Sequence, residues 1–210
     1  MNKLGLSAAF AASLALIGCD KVAEQQREIS QIKIENEADV MQSEKECDAQ
    51  NSAHCYVLGG LYYEGKIVPQ DYARGMEYYT KACDLDNYHA CKFLGDFYFL
   101  GHGVEKDPKK ASSYYAKSCS ANHGLACNNL GWTVIYDEQK GDFKKALVLF
   151  DKGCYLDNAD ACKFIAKAYE EGKHMRQDLP LAKEYFGKAC DLGDTEGCDE
   201  YRRLNEKGIE

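Results

Sequence analysis

Apolar side chains recur along the chain with a helical rhythm that restarts at a fixed interval. Counting from Cys55, they fall at offsets 0, 3, 4 and 7, as Cys55, Leu58, Gly59 and Tyr62, with Gly65 closing the run. The same run begins at Cys91 with Leu94, Gly95, Tyr98 and Gly101, at Cys127 with Leu130, Gly131 and Val134, and at Cys162 with Ile165, Ala166, Tyr169 and Gly172. These offsets mark one face of an α-helix. The Gly or Ala at offset 4 has no bulk to hold a neighbour away, so a second helix can approach there. The trailing glycine suits a left-handed helix cap.

A second helical pattern follows each first one and opens on Asp71, Asp107, Asp142 or Asp178. An aspartate there accepts from the free N–H groups of the first turn, and Pro108 sits where a missing N–H costs nothing. Four residues on stands Gly75, Ala111, Ala146 or Ala182. A large pair comes next: Tyr78-Tyr79, Tyr114-Tyr115, Leu149-Phe150 or Tyr185-Phe186. Lys81, Lys117, Lys152 or Lys188 then precedes the next cysteine. Small residues on one helix opposite large ones on another let two helices interlock.

The cysteines carry the same period. Ten of the eleven form pairs eight apart, at 47 and 55, 83 and 91, 119 and 127, 154 and 162, and 190 and 198, and successive pairs begin 36, 36, 35 and 36 residues apart. A period of this size means a stacked repeat architecture. On one continuous helix, residues eight apart lie roughly 12 Å from each other, beyond the ~7 Å a disulfide tolerates between Cα atoms. A turn must therefore lie between them, and Asp84-Leu85-Asp86-Asn87, Tyr155-Leu156-Asp157-Asn158 and Asp191-Leu192-Gly193-Asp194 are turn sequences. The pairs Cys47–Cys55, Cys83–Cys91, Cys119–Cys127, Cys154–Cys162 and Cys190–Cys198 would each staple one second helix to the next first helix. Ten cysteines allow many other pairings, and only this geometry favours nearest neighbours. Zinc ligands stand two to four residues apart and thioredoxin-like chemistry needs Cys-x2-Cys, a motif the chain lacks, so neither metal nor redox function is expected.

The eleventh cysteine stands after a short basic start and an apolar run from Leu4 to Leu16, too short to span a bilayer and readable as a signal peptide over 1–18. Leu16-Ile17-Gly18-Cys19 resembles a bacterial lipobox, which implies lipidation of Cys19 and an envelope lipoprotein facing the periplasm. Asp20 resembles the inner-membrane retention signal of enterobacteria. Membrane attachment is expected through this anchor alone, and disulfides agree with an oxidising compartment.

The repeats resemble the Sel-1-like family, relatives of the tetratricopeptide repeats, and within it the secreted Helicobacter cysteine-rich proteins. Leu-Gly-x2-Tyr-x2-Gly at 94–101 and Tyr-Tyr-x-Lys-Ala-Cys at 78–83 carry the likeness. It implies an all-α, right-handed solenoid of antiparallel helix pairs. Four repeats are expected at 47–82, 83–118, 119–153 and 154–189, with a tether and half-cap over 19–46 and a terminal cap over 190–210. The third repeat is one residue short, with Val134 and Asp137 where Tyr and Gly are expected, which predicts a distorted loop over 137–141.

Chemistry leaves few candidates. A net charge of −8 without a basic cluster excludes nucleic acid. Members of the cysteine-rich branch have been called β-lactamases or penicillin binders, which makes a hydrolase the alternative reading. Ser30-Gln31-Ile32-Lys33 matches Ser-x2-Lys, but Ser-Asp-Asn and Lys-Thr-Gly are absent, and no catalytic residue is assigned. The histidines 54, 89, 102, 123 and 174, spread over separate repeats, are read as surface or structural groups.

What remains is a surface. Offsets 1, 5 and 8 of the first helices face the inner curve of such solenoids, and there the sequence stops repeating. Tyr56, Tyr63, Lys92, Asp96, Phe99, Asn128, Trp132, Lys163 and Lys167 are the expected contacts in a concave groove, with the sole tryptophan foremost. A monomeric, cofactor-free scaffold binding a protein or peptide, of adaptor or immunity type, is the function expected. A disulfide-dependent chaperone is a third possibility.

Overall fold

Capping chemistry and small-against-large packing between them determine where each helix starts, stops and meets its neighbour. The computed structural model describes residues 21–136 and 142–210. The lipobox with Cys19 and the short third-repeat loop at 137–141 lie outside those residues. Two compact units meet in sequence at His123 and Gly124.

The first unit contains α1 (residues 21–31), α2 (Glu37–Asp48), α3 (Ser52–Glu64), α4 (Tyr72–Asp84), α5 (Tyr88–Leu100) and α6 (Pro108–Ser120). The second contains α7 (Gly124–Ile135), α8 (Phe143–Tyr155), α9 (Ala159–Glu171), α10 (Leu179–Asp191) and α11 (Thr195–Glu206). No strand occurs among the described residues.

Each first helix packs on the second helix that follows it, and the glycine at offset 4 sets the approach. A Cβ on Gly59 would meet the Tyr79 ring at 2.8 Å, on Gly95 the Tyr115 ring at 2.5 Å, and on Gly131 the Phe150 ring at 2.9 Å. A Cβ on Gly75 would in turn meet the Gly59 carbonyl at 3.1 Å and the Tyr63 nitrogen at 3.3 Å, so α3 and α4 run antiparallel. Tyr79, Tyr115, Phe150 and Phe186 are the buried members of the large pairs. Their half-buried neighbours stack on the offset-7 tyrosines: Tyr78 on Tyr62, Tyr114 on Tyr98, and Tyr185 on Tyr169, at 5.5, 5.7 and 6.0 Å.

The turns also repeat. The amides of Asp71, Asp107 and Asp178 donate to the carbonyls of Tyr62, Tyr98 and Tyr169, while their carboxylates cap α4, α6 and α10. Gly65, Gly101 and Gly172 end α3, α5 and α9 at φ of 68°, 78° and 66°, a region that disfavours a Cβ. Between paired cysteines the backbone turns through one left-handed residue, Gln50, Asp86, Asn122, Asp157 or Gly193. That reversal brings the Cα atoms of Cys47–Cys55, Cys83–Cys91, Cys154–Cys162 and Cys190–Cys198 to 4.8, 4.8, 4.6 and 4.4 Å. Cys119 and Cys127 are likewise disulfide-bonded.

The ends depart from the repeat. The segment read as a tether is helical over 21–31, with Val22, Gln25 and Ile29 half-buried. Ser43 occupies the place in α2 that Tyr79 holds in α4, and its hydroxyl lies 3.0 Å from His54 Nδ1, where the later repeats carry Ala90, Ala126, Ala161 or Gly197. At the other end Leu204 of α11 is buried with Ala166, Ala182 and Phe186. Its offset 6 is a core position in other repeats too, through Phe97, Thr133 and Ala168, which the 0-3-4-7 pattern omits.

Candidate functional site

In the first unit, the outward positions of α3 and α5 form a half-exposed aromatic surface. Tyr56 sits edge-on to Tyr79 at 5.6 Å and within 5.9 Å of Phe93. Tyr63 packs on Phe97 at 5.0 Å and Tyr72 at 5.3 Å, and its hydroxyl is 3.2 Å from His102 Nδ1. Phe99 is half-buried. The two charges on this face neutralise each other: Lys92 Nζ lies 2.7 Å from Asp96 and 4.0 Å from the centre of the Phe93 ring, and Asp96 also accepts from the Tyr115 hydroxyl at 2.7 Å. Burial, followed by the charge of Glu64, raises the phenol pKa of Tyr56, so it presents a neutral hydroxyl.

In the second unit, Trp132 anchors the corresponding face. Its indole meets Phe164 edge-on at 4.8 Å and Phe150 at 5.3 Å, and Tyr136 stacks on its outer side at 5.8 Å. Trp132 is half-buried and Tyr136 is 64% exposed, so an ordered aromatic cluster opens to solvent. Asn128 is buried, its Oδ1 without a partner, and lies behind this face rather than on it. Lys163 is held by Asp194 at 2.8 Å and Glu196 at 3.0 Å, and Lys167 by Glu196 at 2.6 Å. The hydrogen bond to Asp194 leads the effects that raise the Lys163 pKa, and burial only partly opposes it. Burial alone would raise the Asp194 pKa, but the bonds from Lys163 and the Gly197 amide bring it below its ordinary value.

The aromatic and charged residues singled out from the sequence therefore fall into two groups, one in each unit, and most are already engaged with neighbours. Phe93 and Phe164, which hold Tyr56 and Trp132 in place, stand at offset 2, outside both the 0-3-4-7 stripe and the outward offsets 1, 5 and 8. Their signal was a large apolar residue at offset 2 in the second and fourth repeats alone. Ser30, the serine of the Ser-x2-Lys match, donates to the Arg27 carbonyl at 2.7 Å on the exposed side of α1. No cluster of three or more metal-binding side chains occurs among the described residues. No helix among them is long and apolar enough to cross a membrane.

Antiparallel helix pairs repeated at a constant interval, each joined to the next across a short left-handed turn, define an α-helical repeat protein of the solenoid class. Sel1 repeats are recognised at residues 55–87, 89–123, 124–158 and 159–194, more than half of the chain, which belongs to the Sel1 repeat family. An uncharacterized protein of Haemophilus influenzae is 58% identical over 33 residues, 16% of this chain and 64% of its own. A protective antigen of uropathogenic Escherichia coli displaying an SLR fold superposes at a TM-score of 0.75 with 22% identity, over 81% of this chain and 37% of that one. Helicobacter pylori cysteine rich protein B is 31% identical across 61% of this chain and 92% of its own, at a TM-score of 0.48. An immunity protein of Pseudomonas aeruginosa shares 19% identity over 84% of this chain and 68% of its own, at a TM-score of 0.52. The likenesses to the antigen and the immunity protein are of fold. This chain spans less than two thirds of the Haemophilus relative and of the antigen.

Proposed function

We propose that this protein is a non-catalytic scaffold of the cell envelope that holds a protein or peptide against the outward faces of its first helices. The observation that carries this reading is the Trp132 cluster. Offset 5 holds Gly60, Asp96 and Lys167 in the other repeats, so packing does not demand an indole there. Nevertheless Trp132 is immobilised by Phe150 and Phe164, with Tyr136 open beside it. A pre-ordered aromatic surface loses little entropy on binding and is the kind of residue on which interface energy concentrates. Disulfides in every repeat support an oxidising compartment, and the lipobox-like sequence supports an anchor at Cys19. The fold likeness to a Pseudomonas immunity protein and the net charge of −8 favour an inhibitor of a basic protein within this class.

Affinity purification of the envelope-anchored protein from its own cells, wild type beside Trp132→Ala, tests the reading. One dominant protein lost with Trp132→Ala is expected. Hydrolysis of a chromogenic cephalosporin that disappears on substitution of one residue of this surface would overturn it in favour of an enzyme.

A further inference from the structure

Helix α1 is seated on the second repeat by a small number of polar contacts. Gln25 bridges the turn before α5: its Nε2 donates to the Asp86 carbonyl at 2.7 Å and its Oε1 accepts from the Tyr88 amide at 3.2 Å. One residue further on, His89 Nε2 lies 3.3 Å from the Val22 carbonyl, and His89 Nδ1 lies 3.2 Å from His123 Nε2. The two imidazoles meet edge-to-face at 4.9 Å. At the far end of α1, Glu28, Gln31, Ile32 and Lys33 close one side of a cleft of about 520 Å³ whose other side includes Ser43 and His54.

The hydrogen bonds in this chain of contacts form with both rings neutral, and an added proton would have to be held within a half-buried pair of imidazoles. The Val22 carbonyl can only accept, so His89 Nε2 carries a hydrogen and, in a neutral ring, Nδ1 accepts from His123 Nε2–H. His123 Nδ1 is then a bare lone pair, and it is buried without a partner. Adding a proton to His89 Nδ1 would set it against the hydrogen of His123. A proton on His123 Nδ1 would be buried with no side-chain acceptor and only the His123 backbone to favour it. Among the described residues, no carboxylate acts on either ring. From α5 the neighbouring ion is Lys92, from α3 the neighbour is the Tyr56 ring at 6.1 Å, and in the turn before α5 the Asp86 carboxylate is paired with Lys117 at 3.2 Å. The α1 charges flanking Val22, Lys21 and Glu24, are exposed.

We infer that α1 is an acid-released strap: its seat on the second repeat is held by neutral His89 and His123, and protonation at mildly acidic pH frees the helix from the repeat ends it covers. Burial lowers the pKa of both rings, that of His123 to about 4 with the positive charges of His89 and Lys92 adding to the effect, while the Val22 carbonyl only partly restores His89. Once α1 leaves, His89 reaches water and titrates near an ordinary histidine value of about 6.5. The released state therefore binds more protons. Docking is complete above about pH 7 and is lost as pH falls below about 6.5.

Hydrogen exchange of the disulfide-intact protein, read by mass spectrometry on peptides covering 21–31 and corrected for intrinsic rates, tests this at pH 7.5 and 5.0. The opening constant of α1 should rise about tenfold or more at the lower pH, with α4 and α6 peptides unchanged as the control for global folding. In His89→Gln, whose amide can donate to Val22 at any pH, the rise should vanish. In Gln25→Ala, α1 should open more at both pH values with the same ratio between them. Equal protection of wild-type α1 at the two pH values, an undiminished rise in His89→Gln, or unchanged protection in Gln25→Ala would each overturn the assignment.

Discussion

At the residue scale, a single hydrogen in place of a methyl group decides whether two helices can meet. Gly95 carries no Cβ because one would lie 2.5 Å from the ring of Tyr115, itself only 2% exposed and unable to swing away. Gly95→Ala should cost about 2 kcal/mol in urea denaturation through forced repacking. Gly60→Ala supplies the contrast, since its Cβ would meet nothing closer than the Tyr79 hydroxyl at 3.4 Å and it lies inside α3. Relief of glycine's backbone entropy should leave that variant as stable as wild type or up to about 1 kcal/mol more stable. Asp194 is a second residue with a defined role. It caps α11 and holds Lys163, and its pKa is lower in the folded protein than in the unfolded chain. Its contribution is present above the unfolded carboxylate range and fades as pH falls through the folded value. In Asp194→Asn, which keeps the cap but loses the charge, stability should depend less steeply on pH below about 4 than in wild type.

At the scale of elements, one short staple joins a second helix to the first helix of the next repeat within each unit. Closing so small a loop contributes roughly 2 to 3 kcal/mol in the chain-entropy model. Removing Cys154–Cys162 by a double substitution to alanine should lower the melting temperature accordingly and loosen hydrogen exchange at the α8–α9 turn more than in α11. The helix order, the aspartate caps at α4, α6, α8 and α10, and the glycine-against-aromatic pairing were all legible in the repeated sequence. A pattern that recurs every 35 or 36 residues separates what packing demands from what varies. α1 was not legible, because its inward residues Val22, Gln25 and Ile29 are sparse and one is polar. Val22 and Gln25 are seated by residues more than sixty positions away, and local periodicity does not register such partners.

At the scale of the whole molecule, net charge and surface chemistry govern association. A chain at −8 attracts basic partners at long range, and this attraction is screened once the Debye length falls below about 10 Å. Association with a basic partner should therefore weaken as salt is raised from 50 to 500 mM, chiefly through a slower on-rate, while Trp132→Ala should act chiefly on dissociation. Surface plasmon resonance on the captured partner separates the two.

By itself the amino-acid sequence determined the repeat length, the helix pair within each repeat, the caps and the nearest-neighbour cysteine spacing. Each of these rests on interactions between residues close in the chain or on a pattern repeated often enough to reveal its purpose. Only the tertiary structure decided how the non-repeating residues are used. It buried Asn128, committed Lys92 and Lys163 to ion pairs, set Phe93 and Phe164 against the half-buried Tyr56 and Trp132, and brought Val22, His89 and His123 together. Those outcomes depend on which side chains from distant repeats share a few ångströms of space. That is a property of packing in three dimensions, and no spacing along the chain encodes it.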